Sequence, residues 1–442
     1  MGYKICQVLA GTLNHAEAGR CINNHLQLET NKLIIQSTPF DLAKYSNIYV
    51  IAVGKAAIPM TEAIYSLLGN RINSGIVITK DGYNRQYNSL PVECFNVYEA
   101  SHPIPDLRNI AASQELVNQY RNLRADDLLI CLISGGGSAL MTKPYPGISL
   151  EDLQQTSDIL IRCGATISEI NTVRKHLDIL KGGGLAKQLY PAKVITLVLS
   201  DVPDDNLDMV ASGPTIADPT TFGDAWLVFQ KYQVLDRVPP NVLEHISDGI
   251  SGNISETLKP GSDYLKHAEG FLVGNNFQVA TAAVREANNL GFIANLIPIT
   301  LHGEASQAGR AIAEYSRAFL AKNPHPEQPV CLIAGGETTV TVSGAGKGGR
   351  NQEFALGAVK SLSSVAGTIL ISLATDGGDG PTDAAGAIAT HHTYARGLQI
   401  GLDPDEYLSR NDSYNYFDKL DDLIRTGPTL TNMNDLAFLF LS

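Results

Sequence analysis

Two runs of the 442-residue chain combine glycine, serine and basic residues in ways that suit an anion. Ser134-Gly135-Gly136-Gly137-Ser138 follows the apolar run 128–133. Consecutive glycines let successive backbone N–H groups turn toward one phosphate or carboxylate, forming a nest. A strand-end turn with positive φ uses the same residues. Gly344-Ala345-Gly346-Lys347-Gly348-Gly349 matches G-x-G-x-x-G, between a strand pattern at 338–342 and a helical one at 351–360. Alone, that spacing suggests a dinucleotide fold. The acid expected about 20 positions on for the ribose is missing, since 360–370 hold neither Asp nor Glu. Lys347 within the run and Arg350 after it favour a flexible basic loop over an anion, with a tight turn as the plain alternative. Neither Gly54-Lys55 nor Gly346-Lys347 precedes Ser or Thr, so there is no Walker A sequence.

Carboxylates cluster at two other strand ends. Thr375-Asp376-Gly377-Gly378-Asp379-Gly380-Pro381-Thr382-Asp383 carries three, and Asp201, Asp204 and Asp205 follow Ser200. Hard oxygen ligands in such places suit Mg²⁺, which takes one or two carboxylates plus nucleotide phosphates. Asp-Gly pairs are also ordinary turn formers. The spacing leaves open which Asp binds metal or acts in catalysis. Among the bases, Lys55, Arg174, Lys181, Lys347 and Arg350 stand in motif positions. Lys55, at a strand end, is equally an anion contact or a solvated side chain. His102 and His176 are read as structural hydrogen-bonding residues.

The elements that must hold these groups recur as an apolar β-branched run, a glycine or polar turn, then a helical pattern. Strand runs fall at 48–53, 75–79, 128–133, 194–199, 271–273, 330–333 and 369–373. The run at 330–333 leads into Ala334-Gly335-Gly336-Glu337-Thr338. Continuous apolar strands imply burial on both faces, hence parallel sheets covered by helices. The chain therefore reads as α/β: two α/β domains with mainly parallel sheets and an active-site cleft between them. Ligands in such sheets sit at the carboxyl ends of strands, where the glycine loops lie.

Ser149 and Asp152 form a capping-box pattern ahead of Leu153, Leu160 and Ile161, and Gly164 ends that run. Ile170, Val173, Leu177 and Leu180 then make an apolar stripe, with Asn171, Arg174, Asp178 and Lys181 on a polar stripe beside it. Gly182-Gly183-Gly184 is expected to close this helix. Pro239-Pro240, a polar Ser/Gly/Asn stretch and Pro260-Gly261 read as a linker within 238–265. The expected domains are residues 1–262 and 263–442.

Composition limits the function classes. The hydrophobic fraction is 44%, enough for a core and against disorder. No apolar run nears the roughly 18 residues of a membrane span, and no signal peptide is visible at the N-terminus. With 33 basic against 45 acidic residues the net charge is −12, unlike a general nucleic-acid binder. The 6 cysteines form no C-x-x-C and read as reduced thiols of a cytoplasmic protein.

Taken in order, several blocks resemble a known family. They are Gly54-Lys55-Ala56-Ala57, Ser101-His102-Pro103-Ile104-Pro105-Asp106, the 134–140 loop, and Asn171-Thr172-Val173-Arg174-Lys175-His176. Lys181-Gly182-Gly183, Leu199-Ser200-Asp201-Val202 and Ala211-Ser212-Gly213-Pro214-Thr215 follow. Then come Gly335-Gly336-Glu337-Thr338, Gly348-Gly349-Arg350-Asn351-Gln352-Glu353, the 376–383 run, Thr426-Gly427-Pro428-Thr429 and Asn434-Asp435. Together, nearly end to end, they resemble the glycerate 2-kinase family with a MOFRL-type C-terminal domain. The resemblance implies ATP- and Mg²⁺-dependent phosphorylation of D-glycerate at its 2-hydroxyl. It implies a Rossmann-like N-terminal domain joined to a MOFRL-type α/β domain. Lys55 and Arg350 match the family's positions for catalysis. One position departs: Asp204 stands where the family reads Gly in Ser-Asp-Val-x-Gly-Asp.

On this reading Lys55 and Arg350 neutralise the transferred phosphoryl group and hold the glycerate carboxylate. Asp201 orients or deprotonates the 2-hydroxyl. Ser134, Gly135, Gly136, Gly137, Ser138, Lys181, Gly336, Glu337 and Lys347 are expected to bind the cofactor ATP. Asp201, Asp376 and Asp379 are expected to bind Mg²⁺. The expected partners are ATP and D-glycerate, with no nucleic acid or membrane, and a homo-oligomer is compatible with the sequence. Family members also carry the name hydroxypyruvate reductase. A nicotinamide-dependent reductase of hydroxypyruvate, a kinase for a related small hydroxy acid, and a non-catalytic sensor of sugar acids or nucleotides are the competing readings.

Overall fold

A computed structural model describes residues 1–83, 90–202, 206–323 and 327–442. The chain divides into two compact units: Ala18–Val273, and Met1–Glu17 together with Gly274–Ser442.

The unit Ala18–Val273 is built on a six-stranded sheet. Its order is Phe95–Ala100, Ile72–Lys80, Asn47–Val53, Asp127–Ile133, Lys193–Leu199 and Ala268–Gly274. The first five strands pair in parallel. Every residue of Asp127–Ile133 is buried, as a strand covered on both faces requires. Successive strands step outward from Asn47–Val53 in one direction, and from Asp127 onward in the other. Loops leaving these two central neighbours therefore diverge to opposite faces and open a crevice at their carboxyl ends. That crevice lies where Gly54-Lys55 and the 134–138 loop emerge.

A separate helical core lies beyond the sheet. Ile148, Leu160, Val173, Phe222, Phe229, Val242 and Ile246 join the helices Leu150–Arg162, Ile167–Leu177, Phe222–Lys231 and Pro240–Ile250. The expected linker at 238–265 thus contains a helix. Pro239 is its N-cap and Pro240 opens its first turn, where a missing N–H is harmless. The capping box of Ser149 and Asp152 is present as expected. A second one, Thr166 with Glu169, starts the next helix. That helix ends at Leu177, so Asp178 and Lys181 stand in a turn beyond it. Gly183 does not close it: with φ 83 it caps the start of Gly184–Leu189.

The other unit has a mixed six-stranded sheet. Its order is Ile293–Leu296, Val330–Gly336, Asp435–Leu441, Thr368–Ala374, Gly386–Thr390 and Leu423–Ile424. Only the first pair is parallel and the rest are antiparallel. This departs from the expectation of mainly parallel sheets. The final strand, Asp435–Leu441, returns between two strands that both run against it, and all its residues are buried. A continuous apolar run reports burial on both faces, which helices can impose on either strand direction. Helix Gly2–His15 joins this unit: His15 Nε2 lies 3.0 Å from Glu286 Oε1 on helix Asn276–Asn289. The run 338–342, expected as a strand, contributes only an isolated bridge from Thr339 to Glu304.

Candidate active site

At the crevice the two central strands are locked loop to loop. Gly54 has φ +130, and a Cβ there would sit 2.1 Å from Ser134 Oγ and 2.6 Å from its carbonyl oxygen, so only glycine passes. The Lys55 N–H donates to the Gly135 carbonyl at 2.9 Å. The Ala56 N–H donates to Ser134 Oγ at 3.1 Å. Gly136 is left-handed, and a Cβ on it would meet the His102 ring at 2.9 Å and Lys55 Cγ at 3.5 Å. Lys55, His102 and Gly136 therefore converge. The Gly137 N–H is used internally, on the Ser134 carbonyl at 3.2 Å. Those of Gly135 and Gly136 meet no acceptor among the described residues. Of the three glycine amides expected to turn toward an anion, only those of Gly135 and Gly136 are left unspent beside Lys55.

A polar relay extends from this loop. Ser212 Oγ donates to Asn171 Oδ1 at 3.0 Å, so its single hydrogen is spent, and Ser138 is the donor in the 2.8 Å Ser138–Ser212 bond. Ala211 and Ser212 hold φ of 51 and 61, uncommon for residues with a Cβ. The turn is anchored by buried Lys175, whose Nζ reaches Asp208 at 2.6 Å and Asp218 at 3.2 Å. His176 is structural: Nδ1 lies 2.7 Å from the Thr172 carbonyl and Nε2 3.2 Å from Glu256.

Lys181 is buried. Its Nζ donates to Asp178 at 2.6 Å and to the Met141 carbonyl at 3.1 Å. Burial pushes its ammonium below the ordinary lysine value, against the pull of Asp178. Ser138, Arg174, Asp178 and Lys181 line a small pocket in this unit. Asp201 is partly buried just beyond the strand Lys193–Leu199, where Ser200 Oγ accepts the Val202 N–H at 3.2 Å. Asp204 and Asp205 lie outside the described residues.

In the other unit Arg350 opens the helix Arg350–Leu362. Its Nε and Nη2 grip both oxygens of Asp435 at 2.6 and 3.1 Å, and Nη1 reaches Glu337 at 2.5 Å. Burial opposes the guanidinium's charge, but Asp435 and Glu337 more than offset it and hold its pKa above the ordinary value. Gly336 is required there: with φ +145, a Cβ would lie 2.3 Å from the Leu301 carbonyl oxygen. Asp435 escaped the assignment from sequence, although it stands in the Asn434-Asp435 motif. The only local signal is a carboxylate heading the apolar run 436–441.

Asp379 is placed differently from the metal ligand expected. Its two oxygens accept the N–H groups of Asn351 at 3.0 Å and Gln352 at 2.8 Å, capping the helix Arg350–Leu362. Burial pushes its carboxyl up to about 6. Asp376 Oδ1 accepts the Gly378 N–H at 3.1 Å. Among the described residues, no three His, Cys, Asp or Glu side chains form a metal-holding group. With both oxygens committed to helix amides, Asp379 does not fit the Mg²⁺ ligand expected of it.

The 344–349 loop is neither a strand-to-helix turn nor a free flap. Asn411 Oδ1 accepts the N–H groups of Ser343 and Gly344, both at 2.8 Å, and Asp412 Oδ1 accepts that of Lys347 at 3.0 Å. These amides are taken by side chains of the 411–412 segment. Lys347 Nζ rests 3.8 Å from the Tyr414 ring centroid. A Cβ on Gly346 would come within 2.5 Å of the Arg410 carbonyl oxygen. Gly346→Ala is accordingly expected to lower stability by about 1–3 kcal/mol through overpacking, read as a drop in denaturation midpoint.

Glu353, on the same helix, accepts Asn411 Nδ2 at 3.2 Å. Burial, with neighbouring Glu304 adding to it, pushes its carboxyl up to about 7 despite the Asn411 bond. A raised carboxyl favours the protonated native form. Its contribution is full below the unfolded value of about 4.3 and is lost as pH rises through about 7. Glu353→Gln should therefore gain thermal midpoint relative to wild type between pH 5 and pH 8. A difference that stays constant would contradict the assignment.

Comparison with known proteins agrees with this architecture. Residues 4–247 match the family described as "Domain of unknown function (DUF4147)", and residues 330–435 match the MOFRL family. The chain is 40% identical over 437 residues to a glycerate 2-kinase of Pyrococcus horikoshii, covering 99% of this chain and 96% of that one. It is 43% identical over 389 residues to a D-glycerate 2-kinase of Thermotoga maritima, covering 88% and 89%. The crystal structure of glycerate kinase from that organism superposes with a TM-score of 0.84 at 39% identity, covering 100% and 99%. A protein of Agrobacterium vitis, 39% identical over 394 residues and covering 89% and 98%, carries a provisional hydroxypyruvate reductase name. With the family matches spanning both units and identity sustained nearly end to end, the chain belongs to the glycerate 2-kinase family.

Proposed function

We propose that the protein transfers the γ-phosphoryl group of ATP to the 2-hydroxyl of D-glycerate. The observation that carries this reading is the convergence of Lys55 with the unspent Gly135 and Gly136 amides at the central crevice of the parallel sheet. Phosphoryl transfer asks for positioned positive charge and backbone donors more than for covalent catalysis. The two amides and Lys55 supply both to a phosphate. Arg350, clamped on two sides by Glu337 and Asp435, offers a guanidinium whose orientation is fixed before substrate arrives. Asp201 is the proposed group that orients or accepts the proton of the 2-hydroxyl. Mg²⁺, if bound with the nucleotide, would offset phosphate charge.

The test is acceptor-dependent ADP release. ADP should form with D-glycerate and stay at background with glycerol. Titrating the protein into NADH should leave the nicotinamide fluorescence unchanged. Hydroxypyruvate-dependent NADH oxidation without ADP release would overturn the proposal in favour of the reductase reading.

A further inference from the structure

Arg174 is a part-buried cation of the unit Ala18–Val273 with no counter-ion among the described residues. Arg174 lies in the last turn of helix Ile167–Leu177, whose azimuth is fixed by buried Val173 and Leu177. Its guanidinium is partly buried, and desolvation lowers its pKa below the ordinary arginine value. Among the described residues it makes no hydrogen bond and no ion pair. Its neighbours differ: Lys175 has Asp208 and Asp218, and Lys181 has Asp178. A desolvated charge without a partner is unfavourable, and folded proteins ordinarily pair it or hydrate it.

Arg174 instead faces a pocket that it lines with Pro103, Ser138, Thr142, Ser157 and Lys181. Lys181 is balanced by Asp178 in the same wall, so Arg174 leaves the pocket one positive charge in excess. The free volume is about 40 Å³. That is room for about three water-sized groups, the size of a carboxylate and the carbon bearing it, and far too small for a nucleobase. Hydroxyls from Ser138, Thr142 and Ser157 border it, and Ser138 belongs to the same loop as the Gly135 and Gly136 amides.

We propose that Arg174 is the residue that binds the carboxylate of the small hydroxy acid, its planar fork pairing with the two carboxylate oxygens in this pocket. The anion site stands on the geometry of Arg174. The identity of the acid as D-glycerate rests on the proposed function.

Calorimetry on the full-length protein separates the two. Wild type should bind D-glycerate and not glycerol, which lacks the carboxylate. Arg174→Gln should weaken D-glycerate binding about 10- to 100-fold, as loss of a charged hydrogen-bond pair does. The dissociation constant for ATP should stay within about twofold, and Arg174→Lys should recover part of the loss. In turnover, KM for the acid should rise more than kcat falls. Near-ultraviolet circular dichroism checks that both variants are folded. Unchanged D-glycerate affinity in Arg174→Gln would overturn the proposal. So would weakened ATP or inorganic phosphate binding with acid binding intact, which would make this a phosphate site. If the acid binds through Arg174 yet no ADP is released, the kinase reading fails and the Arg174 assignment survives.

Discussion

Arg350→Ala should abolish nearly all turnover and also destabilise its unit, and the two effects should separate. On the role proposed for its guanidinium, loss of Arg350 is expected to lower kcat about 10²- to 10³-fold. The stability loss has another origin. Asp435 is 2% exposed and grips Arg350 through both oxygens. Without the arginine it is a buried, unpaired carboxylate, a change that costs about 3–5 kcal/mol. Burial already raises its carboxyl above the ordinary range even with Arg350 present. Stability from such a group is present below the unfolded carboxylate value and lost as pH rises, so the penalty of Arg350→Ala should grow from pH 5 to pH 8. Adding Asp435→Asn should restore much of the denaturation midpoint while kcat stays low. Recovery of kcat in the double variant would make Arg350 a structural residue.

Lys55→Ala is expected to do the reverse: large kinetic loss and little structural loss. The turn it occupies is held by its own backbone N–H on Gly135 and by the Ala56 N–H on Ser134, neither of which the substitution touches. kcat should fall about 10²- to 10³-fold with the midpoint nearly unchanged. Lys55→Met, which keeps the stem beside Gly136 and removes the charge, should be as slow as the alanine variant. A methionine variant with wild-type turnover would show that packing, and not the ammonium, is what the position needs.

The parallel sheet was the most legible part of the chain, because its strands advertise two-faced burial directly. The same signal misled in the other unit, where Asp435–Leu441 is as buried as any parallel strand yet runs antiparallel to both neighbours. The stripe Ile170, Val173, Leu177 and Leu180 overran its helix because the turn after Leu177 still buries Leu180. Candidate positions were legible where a strand end supplies them locally, as at Lys55 and Ser134–Gly136. They were not where a partner comes from far along the chain. Asp379 resembles a metal ligand in its Asp-Gly run, and only contact with helix residues 28 and 27 positions earlier makes it a cap. Arg350 meets Asp435 across 85 positions. The glycines at 344–349 have the spacing of a nucleotide loop but pack tightly, Gly344, Gly346 and Gly348 against Arg410, Asp412 and Ser413 and Gly349 against Asp379.

The central claim is a phosphoryl transfer to one particular hydroxyl, and phosphorus NMR of the products reads it directly. With ATP, Mg²⁺ and D-glycerate, the account predicts growth of the 2-phosphoglycerate and ADP resonances together. Appearance of 3-phosphoglycerate in place of the 2-isomer, or no phosphorylated acid at all, would contradict it.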